Sequence, residues 1–206
     1  MRTIKIAFVG WLAALSLLGA ACSERPVPLA PLAGDAVILA FGDSLTHGSG
    51  ANPNESYPAV LGQLIGRTVI NAGVPGEVSA AGLKRLPDLL AEHRPQLVIL
   101  CHGGNDLLRK QDETLLAANL AAMVQLVKTQ GAAAVLIGVP KPGLGLAVPT
   151  LYPQLARAQW LPYEGKIIAR IAGDRALKSD PIHPNAAGYR LFAQRLQALL
   201  TEAGAL

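Results

Sequence analysis

Four short apolar runs, residues 36–41, 68–71, 97–102 and 133–139, recur along the chain with helical patterns between them, and glycine or polar residues stop each one. They lack the period-two alternation of a half-exposed strand, so they are predicted as strands buried on both faces. Strands alternating with helices call for a parallel sheet covered on both sides. Right-handed crossovers then place every strand's carboxyl end on one edge. Between the runs, Leu116, Leu120, Met123 and Val127 fall at offsets 0, 4, 7 and 11, the stripe of a helix that Gly131 stops. Phe192, Leu196, Leu199 and Ala203 repeat the pattern, with Pro184 suited to a first helical turn. Leu83, Leu86 and Leu90 mark a third helix, interrupted or restarted at Pro87. A fifth strand is expected over 159–163, with 166–171 a helical or irregular approach to the last loop.

A chain of 206 residues holds one such domain. With 51% hydrophobic and 16% charged residues, intrinsic disorder is excluded. The net charge of +4 owes two units to Arg2 and Lys5, and the other basic residues are scattered, so no nucleic-acid partner is expected. Residues 1–5 are charged, 6–18 apolar and 19–21 small, the three regions of a secretory signal peptide, predicted over 1–21. Its 13-residue apolar run is short of the roughly 20 that span a bilayer. Residues 18–22 also resemble a bacterial lipoprotein cleavage site, with Cys22 the lipidated residue; plain cleavage and lipidation both stand. Either way the protein is expected to be exported to the periplasm or cell envelope, with membrane association through a lipid anchor at Cys22 in the second case. Residues 22–34, rich in proline, read as a tether, and 35–206 as the domain. Cys101 lies in an apolar run, where it reads as a small buried hydrophobe.

In open α/β sheets sites form beyond the carboxyl ends of the strands. Gly42-Asp43-Ser44-Leu45-Thr46 follows the first run, Asn71-Ala72-Gly73 closes the second and Gly103-Gly104-Asn105-Asp106 follows the third; Asp180-Pro181-Ile182-His183-Pro184-Asn185 precedes the terminal helix. A serine hydroxyl is a weak nucleophile until a base takes its proton, and the base needs a partner that fixes its tautomer. Ser44, His183 and Asp180 meet that need. Asp180 and His183 are close enough for one tight turn to aim both at the serine. An oxyanion would find three donors: the Ser44 N–H, the Gly73 N–H, which glycine leaves unshielded, and the Asn105 amide. Singly, each residue has an ordinary reading as a turn, cap or loop residue. Four such accidents at four element ends, with complementary roles, are far less plausible than one site.

These motifs resemble the SGNH (GDSL-type) hydrolases, whose four blocks are matched in order, and within them the branch of bacterial periplasmic thioesterases, lysophospholipases and arylesterases. The segments Gly82-Leu83-Lys84-Arg85-Leu86-Pro87 and Asn185-Ala186-Ala187-Gly188-Tyr189 strengthen the likeness. The resemblance implies a three-layer α/β/α sandwich of about five parallel strands with flavodoxin-like topology, and no metal or organic cofactor. It assigns Ser44 as nucleophile and first oxyanion donor, Gly73 and Asn105 as the other donors, and Asp180 with His183 as the rest of a triad. Gly-x-Ser-x-Gly and Ser-x-x-Lys, the marks of other serine hydrolases, are missing from the sequence. No paired histidine spacing makes metal ligands of His47 and His102, which read as a loop and a strand-end residue; Asp43 and Asp106 read as local loop holders. The apolar, glycine-containing stretch 141–149 suits an acyl chain. The expected activity is hydrolysis of small carboxylic esters or thioesters by a monomer. Removal of O-acetyl groups from envelope carbohydrate, or non-catalytic lipid or glycan binding, are the alternatives.

Overall fold

The structure, a computed structural model, describes residues 26–143 and 145–206; the expected signal peptide and Cys22 lie outside the described residues. Five strands, β1 (Val37–Gly42), β2 (Thr68–Gly73), β3 (Leu97–Cys101), β4 (Ala133–Ile137) and β5 (Tyr163–Glu164), form one parallel sheet in the order β2-β1-β3-β4-β5. This is the flavodoxin-like order, reversing direction between β1 and β3. The helices are α1 (Ser44–His47), α2 (Tyr57–Ile65), α3 (Ser79–His93), α4 (Gly104–Leu108), α5 (Glu113–Thr129), α6 (Leu151–Ala158), α7 (Ile167–Gly173) and α8 (Ala186–Glu202). Packing of α2 and α7 on α8, and of α3 and α6 on α5, separates two helical layers around the sheet.

Strands β1, β3 and β4 are buried on both faces, as their unbroken apolar runs require; Ile38, Leu39, Ala40 and Phe41 are inaccessible to solvent. Strand β2 departs from the expectation. It is the sheet edge, and Thr68 and Asn71 are exposed. The predicted stripes of α5 and α8 face the core: Leu116, Leu120, Met123, Val127, Phe192, Leu196 and Leu199 are all buried.

Three local expectations are corrected. The fifth strand is only Tyr163–Glu164, because the N–H groups of Gln159, Trp160 and Leu161 turn back to the carbonyls of Leu155, Arg157 and Ala156 and close α6 instead of joining the sheet. Helix α3 runs unbroken through Pro87, which lies on its exposed side while Leu86 and Leu90 hold the helix to the core. Pro184 precedes α8, whose cap is Asn185, its side chain accepting the Gly188 N–H at 3.0 Å.

The expected tether over 22–34 is bound over its second half. Leu29 N–H donates to the Ala203 carbonyl at 2.8 Å and Leu32 N–H to that of Ala205 at 2.9 Å. Both leucines pack against the core. Arg67 donates to the carbonyls of Leu32 and Ala33, so the described chain is fixed to the body from Leu29 onward. No helix among the described residues is long and apolar enough to cross a membrane.

Candidate active site

Register brings the site together. Gly42 pairs with both Gly73 and Cys101, so β1, β2 and β3 end level and their following residues share one edge. Asp43 caps α1 by accepting the Leu45 N–H at 3.0 Å, which places Ser44 in the first turn of that helix. Asp43 is 1% exposed, and burial pushes its carboxyl above the ordinary value.

From 139 residues away, the loop before α8 supplies the imidazole. Asp180 Oδ1 accepts the N–H groups of Ile182 and His183 at 2.7 and 2.8 Å, which shapes the turn. Its Oδ2 lies 2.7 Å from His183 Nδ1, and His183 Nε2 lies 3.0 Å from Ser44 Oγ. With Nδ1–H donated to the carboxylate, Nε2 is left as the acceptor facing the hydroxyl. Partial burial alone would raise the Asp180 carboxyl, but the His183 N–H and imidazole and the Ile182 N–H outweigh it and hold the group at about 2. Asp180 is therefore a carboxylate at neutral pH.

The Gly73 N–H is not unshielded, as the sequence suggests; it donates to Asn71 Oδ1 at 3.0 Å. What glycine provides here is room. A Cβ on residue 73 would stand 2.0 Å from the His47 backbone nitrogen, where β2 meets α1. Asn105 sits inside the first turn of α4, not at its cap, which is Gly103. Its Nδ2 donates to the Glu77 carbonyl at 3.0 Å and makes a longer 3.4 Å contact with Asp43 Oδ2.

Beside Ser44 opens a cavity of about 520 Å³, walled by Leu108, Val139, Pro140, Leu146, Ile168 and Ile182. Residues of the 141–149 stretch reach it as expected, and Lys141 and Lys178 are the cations on its lining. His47 is exposed on α1, while His102 is fully buried. Among the described residues no three His, Cys, Asp or Glu side chains are gathered as metal ligands. Asp106 is more than a local loop holder. It accepts from the Ser79 N–H and hydroxyl at 2.9 and 2.5 Å and fastens α4 to the start of α3.

One cluster was not legible in the sequence. Glu77 receives a two-pronged contact from Arg85, with Nε at 2.9 Å and Nη2 at 2.7 Å, and lies 3.1 Å from His102 Nε2. Its side chain is 7% exposed. Burial alone would raise its carboxyl, but the hydrogen bonds of His102 and Arg85 hold it at about 2. Spacing carries no sign of this cluster, since its three members sit on a loop, a helix and a strand end.

The sequence model of the GDSL-like Lipase/Acylhydrolase family matches residues 40–191. The chain is 38% identical over 110 residues to Esterase TesA of Pseudomonas aeruginosa, a match covering 51% of this chain and 55% of that protein, so it spans about half of that relative's length. It is 31% identical over 156 residues to Thioesterase 1/protease 1/lysophospholipase L1 of Escherichia coli, covering 72% and 75%. The crystal structure of the psychrotrophic esterase EstA from Pseudoalteromonas sp., inhibited by monoethylphosphonate, superimposes with a TM-score of 0.73 at 25% identity, covering 82% of this chain and 98% of that one.

Proposed function

The chain belongs to the GDSL-like lipase/acylhydrolase family, and from that premise we propose that it hydrolyses carboxylic esters or thioesters with an apolar acyl group through Ser44, His183 and Asp180. Ser44 Oγ attacks the acyl carbonyl while His183 Nε2 takes its proton, and the Asp180 carboxylate steadies the imidazolium that forms. The tetrahedral oxyanion is met by the Ser44 N–H, the Gly73 N–H and Asn105 Nδ2. For Gly73 this requires the N–H to be released from, or shared with, Asn71 Oδ1. His183 then protonates the departing alcohol or thiol. A water, deprotonated by His183, attacks the acyl-enzyme; the Ser44 ester bond breaks as His183 returns that proton to Ser44 Oγ, and the free acid leaves.

The observation that carries the reading is the continuous line of polar contacts, 3.0 Å from serine to imidazole and 2.7 Å from imidazole to carboxylate. The apolar cavity beside the hydroxyl supports an acyl chain longer than acetyl and weighs against O-acetyl removal from carbohydrate. The inhibition of EstA by a phosphonate accords with an attacking hydroxyl in a protein of similar fold. We further infer export by the 1–21 leader, with Cys22 as a lipid attachment site; the mass of the mature amino terminus decides between a lipidated cysteine and plain cleavage.

The test is turnover of a p-nitrophenyl ester and acyl-thioester series of increasing chain length by the purified protein. Medium or long chains are expected to be preferred, and Ser44→Ala to lower kcat by about 10⁴-fold or more. Undiminished turnover in Ser44→Ala would overturn the mechanism, and a strict preference for acetyl would overturn the substrate class.

A further inference from the structure

We propose that Glu77 and His102 are positioning residues that hold the oxyanion donors of Ser44 chemistry in place; the proposal rests on the esterase reading above. A buried carboxylate and its polar partners are seldom worth more to stability than apolar side chains of the same size, so the cluster around Glu77 calls for a geometric reason. Here Arg85 and His102 each make a second bond, to backbone beside a donor, and the main-chain carbonyl of Glu77 itself holds the Asn105 amide. Arg85 Nη2, besides gripping Glu77, donates to the Ala72 carbonyl at 3.0 Å, one residue before Gly73. The Glu77 carbonyl accepts one amide hydrogen of Asn105 and so orients that side chain, while the other hydrogen is engaged only by the long contact to Asp43. His102 Nδ1 accepts the Gly103 N–H at 2.9 Å, at the cap of the helix that bears Asn105.

That acceptor role fixes the histidine's tautomer. With Nδ1 unprotonated, the proton sits on Nε2 and is donated to Glu77 Oε2. His102 is wholly buried, and α3 approaches so closely that a Cβ on Gly82 would lie 2.5 Å from Nε2. The imidazole therefore has no other place to go. One carboxylate thus ties the end of β2, through Arg85, to the start of α4, through His102. Displacement of a catalytic group by about 1 Å can lower a rate about 100-fold, which is the scale at which such a tie acts.

The experiment compares kcat and KM on one p-nitrophenyl ester for the full chain and for Glu77→Gln, His102→Leu, His102→Asn and Asn105→Ala. Glu77→Gln and His102→Leu are expected to lower kcat about 10- to 100-fold with KM changed by less than about threefold. His102→Asn, whose Oδ1 falls near the place of Nδ1 and can still accept the Gly103 N–H, should recover part of that loss. If His102 acts through Asn105, His102→Leu added to Asn105→Ala should lower kcat little further, whereas a merely structural role would give additive effects. The near-isosteric Glu77→Gln provides the same reading should His102→Leu fail to fold. Turnover lost in Ser44→Ala but wild-type kcat in Glu77→Gln and His102→Leu, or full additivity with Asn105→Ala, overturns this proposal alone. Turnover that survives Ser44→Ala overturns the esterase reading and this proposal with it.

Discussion

Glu77 gains its stabilising partners only when the chain folds, so its ionisation is linked to stability. Its carboxyl falls from an ordinary 4.5 to about 2 in the folded protein. A depressed carboxylate contributes stability that is complete above its unfolded value and is lost as pH falls through the folded one. The contribution is on the order of 2 kcal/mol after allowance for solvent screening. Glu77→Gln should be less stable near neutrality and lose less on acidification between pH 4.5 and 2, measured as urea midpoints. Parallel acid limbs in the two proteins would refute the linkage. Single residues also show what sequence could and could not reveal. The contact of Asp180 with His183 is legible because their turn is local, whereas Ser44 has an ordinary cap reading by itself and stands out only together with the other three blocks. For Gly73 the sequence suggests an open N–H, whereas that N–H meets Asn71 Oδ1 and the close approach of the His47 backbone is what leaves no room for a side chain. Arg85, Glu77 and His102 meet only through tertiary packing, which no spacing rule reports.

Elements were legible where hydrophobic period and length agreed. The stripes of α5 and α8 repeat over about three turns, and tertiary burial then follows from pattern alone. Short segments fared worse because a few backbone bonds decide them. The two residues of β5 are what remains after α6 has drawn the preceding N–H groups to its own carboxyl end. Pro87 was expected to break α3, yet packing of Leu86 and Leu90 outweighs the missing hydrogen bond. An interior proline disfavours a helix by about 3 kcal/mol relative to alanine, and this one is exposed. Pro87→Ala is therefore expected to raise unfolding free energy by about 1–3 kcal/mol, read from denaturant titration; an unchanged or lower midpoint would show that the helix is already relaxed around the ring.

Across the whole molecule, the amino-terminal stretch is part of the fold and not only a connection to it. Leu29 and Leu32 contribute two backbone hydrogen bonds to the residues just after α8 and two half-buried side chains packed on the core. Together these are worth about 2–4 kcal/mol. A chain beginning at Asp35 should melt roughly 5–15 °C below one beginning at Pro26. Equal melting temperatures would mean that the docked stretch adds nothing. Helix α8 starts three residues after His183 and, over its 17 residues, runs about 25 Å to the point where Leu29 is fastened. The chain thus enters the body at the pole opposite the Ser44 cleft. Grafted to a bead or a flat support at Leu29, the protein would present its reactive mouth outward to the bulk solution and would draw on molecules arriving from there.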